Sequence, residues 1–526
     1  MMKTLYTNGK IYTMEKEHET VGAVLTENSK ILKVGNVEQL QPLADKEIDL
    51  QGAVLYPGFI DSHMHLIGHG EKLRSLNLAS ATSQEEMFEM IQQAATSLKD
   101  GEWLVGEGWN ENNFKEPIVP TRFQLDELCD SPIVLSRTCR HAALANSKAF
   151  ELANITNETE NPVDGEIVRD ETGVATGYLL EGAQDLVFDL LEAPSVEELT
   201  ASLETAVEDV LSLGLTGAVT DDLGYYGDYR NPFQAYKNVI GTKKKFRAYL
   251  MNRSPIFKQI MEEKPTYNEP WMTAGEMKFF VDGALGGQTA LLRAPYADAP
   301  HTSGMAVHSD EEIEKLVQLA RSYEQAVAVH VIGDGAVETI LTVLEKYPVP
   351  NGKRDRLIHV NVLADDLVER MLKLPVVLDL QPAFIASDFP WVMERLGEER
   401  WGWAYAWKSL IDKGFICGAG SDAPIEEADP LIGIYAAVTR RKIGDTHEGY
   451  LVKEKLSRYE AIQLFTTGSA ATIGMAHRRG KIAEGYDADF TVFDCDLMTV
   501  PANEILKAKV KMTIVAGEIM YKASQE

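Results

Sequence analysis

Two histidines one residue apart, His63 and His65, close the segment Tyr56-Pro57-Gly58-Phe59-Ile60-Asp61-Ser62-His63-Met64-His65. On a strand, residues i and i+2 share a face, so this pair presents two imidazoles side by side. Imidazole is a common ligand for zinc and related divalent cations. Alone the pattern is weak, because two histidines in this order also occur as ordinary surface residues. Three further residues sharpen it. His330 ends the apolar run Ala326-Val327-Ala328-Val329, His359 ends Arg356-Leu357-Ile358, and Asp422 follows Cys417-Gly418-Ala419-Gly420-Ser421. Each of these, taken singly, reads equally as a satisfied core or rim residue. Four histidines and an aspartate, each placed where a run stops, point together to a metal centre.

The elements that must position them follow from the apolar runs. Eight occur in order, at residues 55–60, 216–220, 246–250, 277–281, 326–329, 356–358, 376–380 and 415–418, with helical patterns at 196–213, 310–323, 336–346 and 363–372. Alternation of this kind predicts βα units closing into a TIM (β/α)8 barrel, whose sites lie at the C-terminal ends of the strands. His63 with His65, His330, His359 and Asp422 then fall on strands one, five, six and eight of that rim. The gap between the first two strands is too long for one helix, so residues of about 100–190 are expected to form an inserted subdomain after the first strand.

Both chain ends carry short β-like segments. Residues 3–14 read as a hairpin around Asn8-Gly9, and 22–25 with 31–34 as a second; 490–493, 511–515 and 518–521 follow at the far end. One β-rich domain built from both termini is expected, contributed by residues 1–54 and 476–526, with the barrel at 55–475 between them.

Composition narrows the function class. The 526 residues carry 51 Lys plus Arg against 80 Asp plus Glu, a net charge of −29. Such a surface repels phosphate backbones and anionic lipid, so neither nucleic acid nor membrane is an expected partner. Cys129, Cys139, Cys417 and Cys495 are too few and too scattered for a disulfide framework or a CxxC zinc site. With no leader-like or spanning apolar stretch, the expected location is cytoplasmic.

Taken together, His63-Met64-His65, His330, His359 and the segment Gly420-Ser421-Asp422-Ala423-Pro424 resemble the metal-dependent amidohydrolase superfamily. Within it the match is to amidohydrolase family 3, the YtcJ-like branch, which includes N-substituted formamide deformylases. Further matching segments are Met277-Lys278-Phe279-Phe280-Val281-Asp282-Gly283-Ala284, His141 through Asn146-Ser147-Lys148, and Gly480-Lys481-Ile482 through Gly485-Tyr486-Asp487-Ala488-Asp489-Phe490. The resemblance spans nearly the whole chain and implies a TIM barrel with a small β-sandwich from both termini. It also implies that Lys278, on the fourth strand, is carboxylated by carbon dioxide and bridges two divalent ions, with zinc the expected metal. The bland alternative pairs Lys278 with a carboxylate such as Asp282, outside the cluster, and makes the centre mononuclear.

The implied chemistry is hydrolysis of a carbon–nitrogen bond, other than a peptide bond, in a small molecule. His63, His65 and Asp422 would hold the more buried ion, His330 and His359 the more exposed one. A metal-bridging hydroxide attacks, and Asp422 carries the proton to the departing nitrogen. Trp109, His141 and Asp282 are the candidate substrate contacts. Asn110, Glu181 and Arg293 are further pocket candidates, and Trp391, Trp401, Trp403 and Trp407 suggest a lid or wall after strand seven. His69 is expected behind the ligands, and Cys417 as a buried filler. Other readings stay open: an ester, a cyclic amide or a deaminated amine as substrate, or a catalytically silent binding protein on the same fold. A homodimer is the family-level expectation for assembly.

Overall fold

Eight short strands, most of them largely apolar, pair in chain order into one parallel sheet. In the computed structural model, which describes residues 2–96, 98, 101–137, 142–162, 165–191 and 193–524, these strands are β1 (Phe59–Met64), β2 (Leu215–Thr220), β3 (Arg247–Arg253), β4 (Met272–Phe280), β5 (Val327–Val331), β6 (Asp355–His359), β7 (Val376–Leu380) and β8 (Cys417–Ala419). Each pairs in parallel with the next. Beyond β8 the ring is drawn together by backbone bonds to β1: Asp422 N–H donates to the His63 carbonyl at 2.8 Å, and His65 N–H to the Ala423 carbonyl at 2.7 Å. The result is the expected TIM-like barrel.

Helices cover it outside. Val196–Ser212 buries Leu199, Leu203, Ala206, Val207, Val210 and Leu211, the three-and-four spacing that lays one apolar stripe on the strands. Asp310–Ser322 begins at a capping box, Ser309 with Glu312, which satisfies two of its free amides. Inside, Val219, Met251, Ala328, Ile358 and Ile473 form an apolar plug. Below the metal residues lies a buried charge cluster, Arg356 bonded to Asp379 at 2.8 Å and to the Thr472 carbonyl at 2.9 Å.

The chain divides into two compact units, Met1–His69 with Val196–Glu526, and Gly70–Ser195. The second has its own six-stranded sheet, in the order Gly165–Arg169, Ala175–Glu181, Ala142–Ala145, Ile133–Arg137, Leu104–Trp109, Leu76–Asn77. It starts well before residue 100, because Leu76–Asn77 pairs with Leu104–Trp109 and helix Gln84–Ala95 sends Met87 and Ile91 into the core that holds Leu104.

Two sequence expectations need correction. The run at 55–60 is not one strand. Val54–Pro57 pairs with Phe490–Phe493 and Lys10–Tyr12 in a six-stranded sheet, and only Phe59 onward enters the barrel. The break is Gly58, where a Cβ would lie 2.4 Å from Thr216 Oγ1. Nor does Asn8-Gly9 make a hairpin. Lys3–Thr7 joins a four-stranded sheet with Lys30–Gly35, Ala23–Glu27 and Lys46–Asp49, whereas Lys10–Tyr12 joins the six-stranded one. Pairing with distant strands outweighs the local turn preference here. The two sheets share one apolar cluster, in which Tyr6, Val24 and Ile31 meet Leu55, Phe490, Val492 and Ile514.

Arg247 on β3 clasps Asp489 beside strand Phe490–Phe493 through Nε at 2.6 Å and Nη2 at 3.0 Å, both groups being nearly buried. Removing one member of such a pair strands a buried charge. Asp489→Ala should therefore destabilise the chain by about 3–5 kcal/mol, read as a lowered denaturant midpoint.

Candidate metal centre

His63 sits at the end of β1 and is 1% exposed. His65 follows it, and Asp422 comes in from the segment after β8. The Asp422 Oδ1 lies 3.4 Å from His63 Nε2 and 3.4 Å from His65 Nε2. One ligand atom from each of the three falls within 4.8 Å of the others. The backbone that allows this is specialised. Asp422 has φ +59°, His359 φ +78° and Val360 φ +43°, a region non-glycine residues seldom adopt, gathered at the C-terminal rim. Asp61 ties the same join, accepting from His63 N at 2.9 Å and Ser421 N at 3.0 Å.

Lys278 on β4 is fully buried, and its Nζ lies 3.3 Å from His63 Nε2. It therefore points into the cluster. Asp282, the partner considered for it, is engaged elsewhere: its Oδ1 accepts from Ile332 N at 3.0 Å, and its Oδ2 from Gly333 N at 2.8 Å and Leu291 N at 2.9 Å. Those bonds anchor the loop after β4 to the segment leaving β5, which is where His330 stands. His330 and His359 face each other with ring centroids 4.4 Å apart, and His359 is 5.8 Å from His63.

The imidazole tautomers follow from their partners. A carbonyl only accepts, so His65 Nδ1 carries a proton toward Asp221 O at 2.9 Å, and Nε2 is the nitrogen that faces Asp422. His359 Nδ1 donates to Gln381 Oε1 at 2.8 Å, which frees Nε2. His330 donates from Nε2 to Gly283 O at 3.0 Å, which frees Nδ1. Such outer bonds hold a ligand ring in one orientation.

Burial, with the neighbouring positive charge of Lys278, keeps His63 neutral well below the usual imidazole range. Burial likewise lowers His330, and brings His359 down to about 4 and the Lys278 amine down to about 8. At His65 burial acts in the same direction, but the bond to Asp422 outweighs it and raises the ring to about 9. Asp422 is the converse: burial would raise it, yet His65, with His359 and Lys278, holds the carboxyl below its ordinary value. Neutral imidazoles at His63, His330 and His359, one carboxylate that attracts positive charge, and a buried His63 Nδ1 lacking a partner among the described residues suit a divalent cation.

Other sequence candidates fall elsewhere. Trp109 is corrected as a substrate contact: it is fully buried in the core of the second unit, its indole donating to Leu135 O at 2.9 Å and its ring against Tyr178. Asn110 is bonded to Arg137 in that same unit. His141 lies outside the described residues. Arg293 clasps Glu338 and Asp366 in a half-exposed network. His69 Nε2 donates to Asp209 Oδ2, 2.7 Å away, behind the cluster. Trp407 is fully buried, whereas Trp391, Trp401 and Trp403 pack on the barrel core from the segment after β7. Cys417 is buried and its thiol is pushed above the usual range. Three residues of the centre were missed. Asp61, Asp221 and Gln381 lie inside or just past β1, β2 and β7, so the rule that found His330 and His359 would have found the last two.

Gly420 is the tightest point. A Cβ there would lie 2.4 Å from His63 N and 2.6 Å from His63 O, both backbone atoms. Gly420→Ala should push the β8 exit off β1 and at least halve metal bound per chain, measured by elemental analysis. Gly402→Ala, at a glycine whose added Cβ meets nothing within 4 Å, should leave it unchanged.

Comparison with known proteins agrees with this geometry. The amidohydrolase family model matches residues 46–521. The chain is 44% identical to the protein YtcJ of Bacillus subtilis, over 99% of this chain and all of that one. It is 26% identical to N-substituted formamide deformylase of Arthrobacter pascens, over 99% and 98% of the two chains. A crystal structure of a metal-dependent hydrolase from Pyrococcus furiosus superposes with a TM-score of 0.81 at 30% identity, covering 94% of this chain and all of that one. A family match over most of the chain establishes that this protein belongs to the amidohydrolase family, with a His-His-Asp group at the C-terminal rim of its barrel that can hold a divalent cation.

Proposed function

We propose that the protein hydrolyses a carbon–nitrogen bond, other than a peptide bond, in a small amide, at a centre built from His63, His65, Lys278, His330, His359 and Asp422. The observation that carries this reading is the convergence of those six side chains, from five parts of the barrel rim, with Lys278 Nζ against His63 rather than against Asp282. The formamide deformylase relative supports the choice of bond.

His63, His65 and Asp422 would hold one divalent ion and His330 and His359 a second, zinc being the expected metal. Lys278, carboxylated by carbon dioxide, would stand between them. When bound, such ions polarise a carbonyl and lower the pKa of water from 15.7 to about 7. The chain's own groups do the rest. Asp422, between two imidazoles, is placed to accept the proton of the attacking water on a carboxylate oxygen and to return it to the leaving nitrogen, which departs as the neutral amine. The bonds from His65 to Asp221 O and from His359 to Gln381 keep both rings from turning as charge builds. In the same reading the two terminal sheets are the small β-sandwich, and residues 70–195 are the insertion after the first barrel strand.

Elemental analysis of protein prepared with bicarbonate should find about two ions per chain. Lys278→Ala should reduce that to about one or fewer, with partial recovery on adding a short carboxylate; an unchanged count would remove Lys278 from the centre. His63→Ala and Asp422→Ala should abolish hydrolysis of N-substituted formamides while circular dichroism stays that of the parent, and full activity in either would overturn the mechanism.

A further inference from the structure

Arg253 ends β3, in register with Lys278 of β4. Its guanidinium carbon lies 4.2 Å from the centroid of the Tyr225 ring and 4.9 Å from that of Phe280. Both rings also touch ligand imidazoles, Tyr225 at 5.4 Å from His65 and Phe280 at 4.8 Å from His330. The aliphatic stem is laid along Gly224, where an added Cβ would meet Arg253 Cβ at 2.6 Å and Cδ at 2.8 Å. The arginine is therefore held in one place, at the edge of the metal centre, by two aromatic faces and a bare backbone.

Among the described residues its hydrogen-bonding capacity is unused. Nε is buried without a partner, and among the described residues neither Nη atom donates to any group. Asp221 lies close enough to interact through space, yet its carboxylate makes no ion pair with Arg253. A guanidinium in this chain has many carboxylates available, since the net charge is −29, and Arg247 of β3 and Arg356 of β6 use them. An unpaired, rigidly held guanidinium beside a reaction centre is a receptor for an anion.

We infer that Arg253 recognises a carboxylate on the substrate, so that the molecule hydrolysed is a small amide bearing a carboxylate, of the N-acyl amino acid kind. Tyr225 and Phe280 both pack near the guanidinium carbon, and the two Nη groups are the donors left for a ligand. A planar carboxylate can take two parallel N–H donors from that fork. This assignment rests on the hydrolase reading of the same site.

The test uses metal-loaded protein and a matched pair, N-formylleucine and its methyl ester. The acid should be preferred in kcat/KM by about 30-fold or more, the loss typical of removing one partner of a charged, hydrogen-bonded pair. Arg253→Met, which keeps the stem on Gly224, should erase that preference, and Arg253→Lys should retain part of it, with metal content equal to the parent in both. No preference in the parent, or a preference that survives in Arg253→Met, overturns the assignment while hydrolysis itself upholds the amidase reading. Should neither compound be hydrolysed, calorimetric binding of N-acetylleucine decides separately. Affinity at least 30-fold weaker in Arg253→Met supports the carboxylate receptor, and equal affinity in the two proteins overturns it.

Discussion

The join between β8 and β1 is the constraint on which the centre depends. Two backbone bonds, Asp422 to His63 and Ala423 to His65, draw the last strand's exit across the first strand's end. That crossing sets the Asp422 carboxylate between the imidazoles of His63 and His65. It is possible only because Gly420 has no side chain, because Asp61 accepts from amides on both sides, and because Asp422 tolerates a left-handed backbone. The strain of about 1–3 kcal/mol that such a residue stores is held by the surrounding ladder rather than by the residue itself. Barrel closure and site assembly are thus the same event.

Electrostatics explains the second layer. A barrel interior is a poor solvent for charge, so His63, His330 and His359 are kept neutral, and a neutral imidazole is the form that binds a cation. The same burial leaves Asp422 with positive neighbours that stabilise its charge. Beneath, the Arg356–Asp379 pair and the apolar plug around Ile473 close the barrel, leaving the chemistry at its C-terminal rim.

Much of this is legible in one sequence, because the relevant signals are local. The apolar runs mark strands, and a polar residue at the end of a run marks the rim, which is how the order of residues alone places His330, His359 and Asp422 on one edge. The failures are failures of partner choice. Asn8-Gly9 has hairpin chemistry, yet Lys3–Thr7 and Lys10–Tyr12 each find longer apolar surfaces in different sheets. The run at 55–60 is continuous in hydrophobicity, and only the approach of Thr216 to Gly58 divides it between two sheets. Trp109 follows a strand end, as a pocket residue would, but it belongs to the other unit's core.

By itself, then, the chain determined which residue types stand at strand ends, the period that makes a parallel barrel, and the ligand inventory of the amidohydrolase family. Only the tertiary structure decided which side of each ring faces inward, that Lys278 turns to His63 while Asp282 spends its oxygens on three backbone amides, and that Arg253 has no hydrogen-bond partner among the described residues. The physical reason is range. Periodicity and strand ends are written in neighbours a few residues apart, whereas tautomer, orientation and an unpaired guanidinium depend on atoms that meet only after dozens to hundreds of residues have been folded between them.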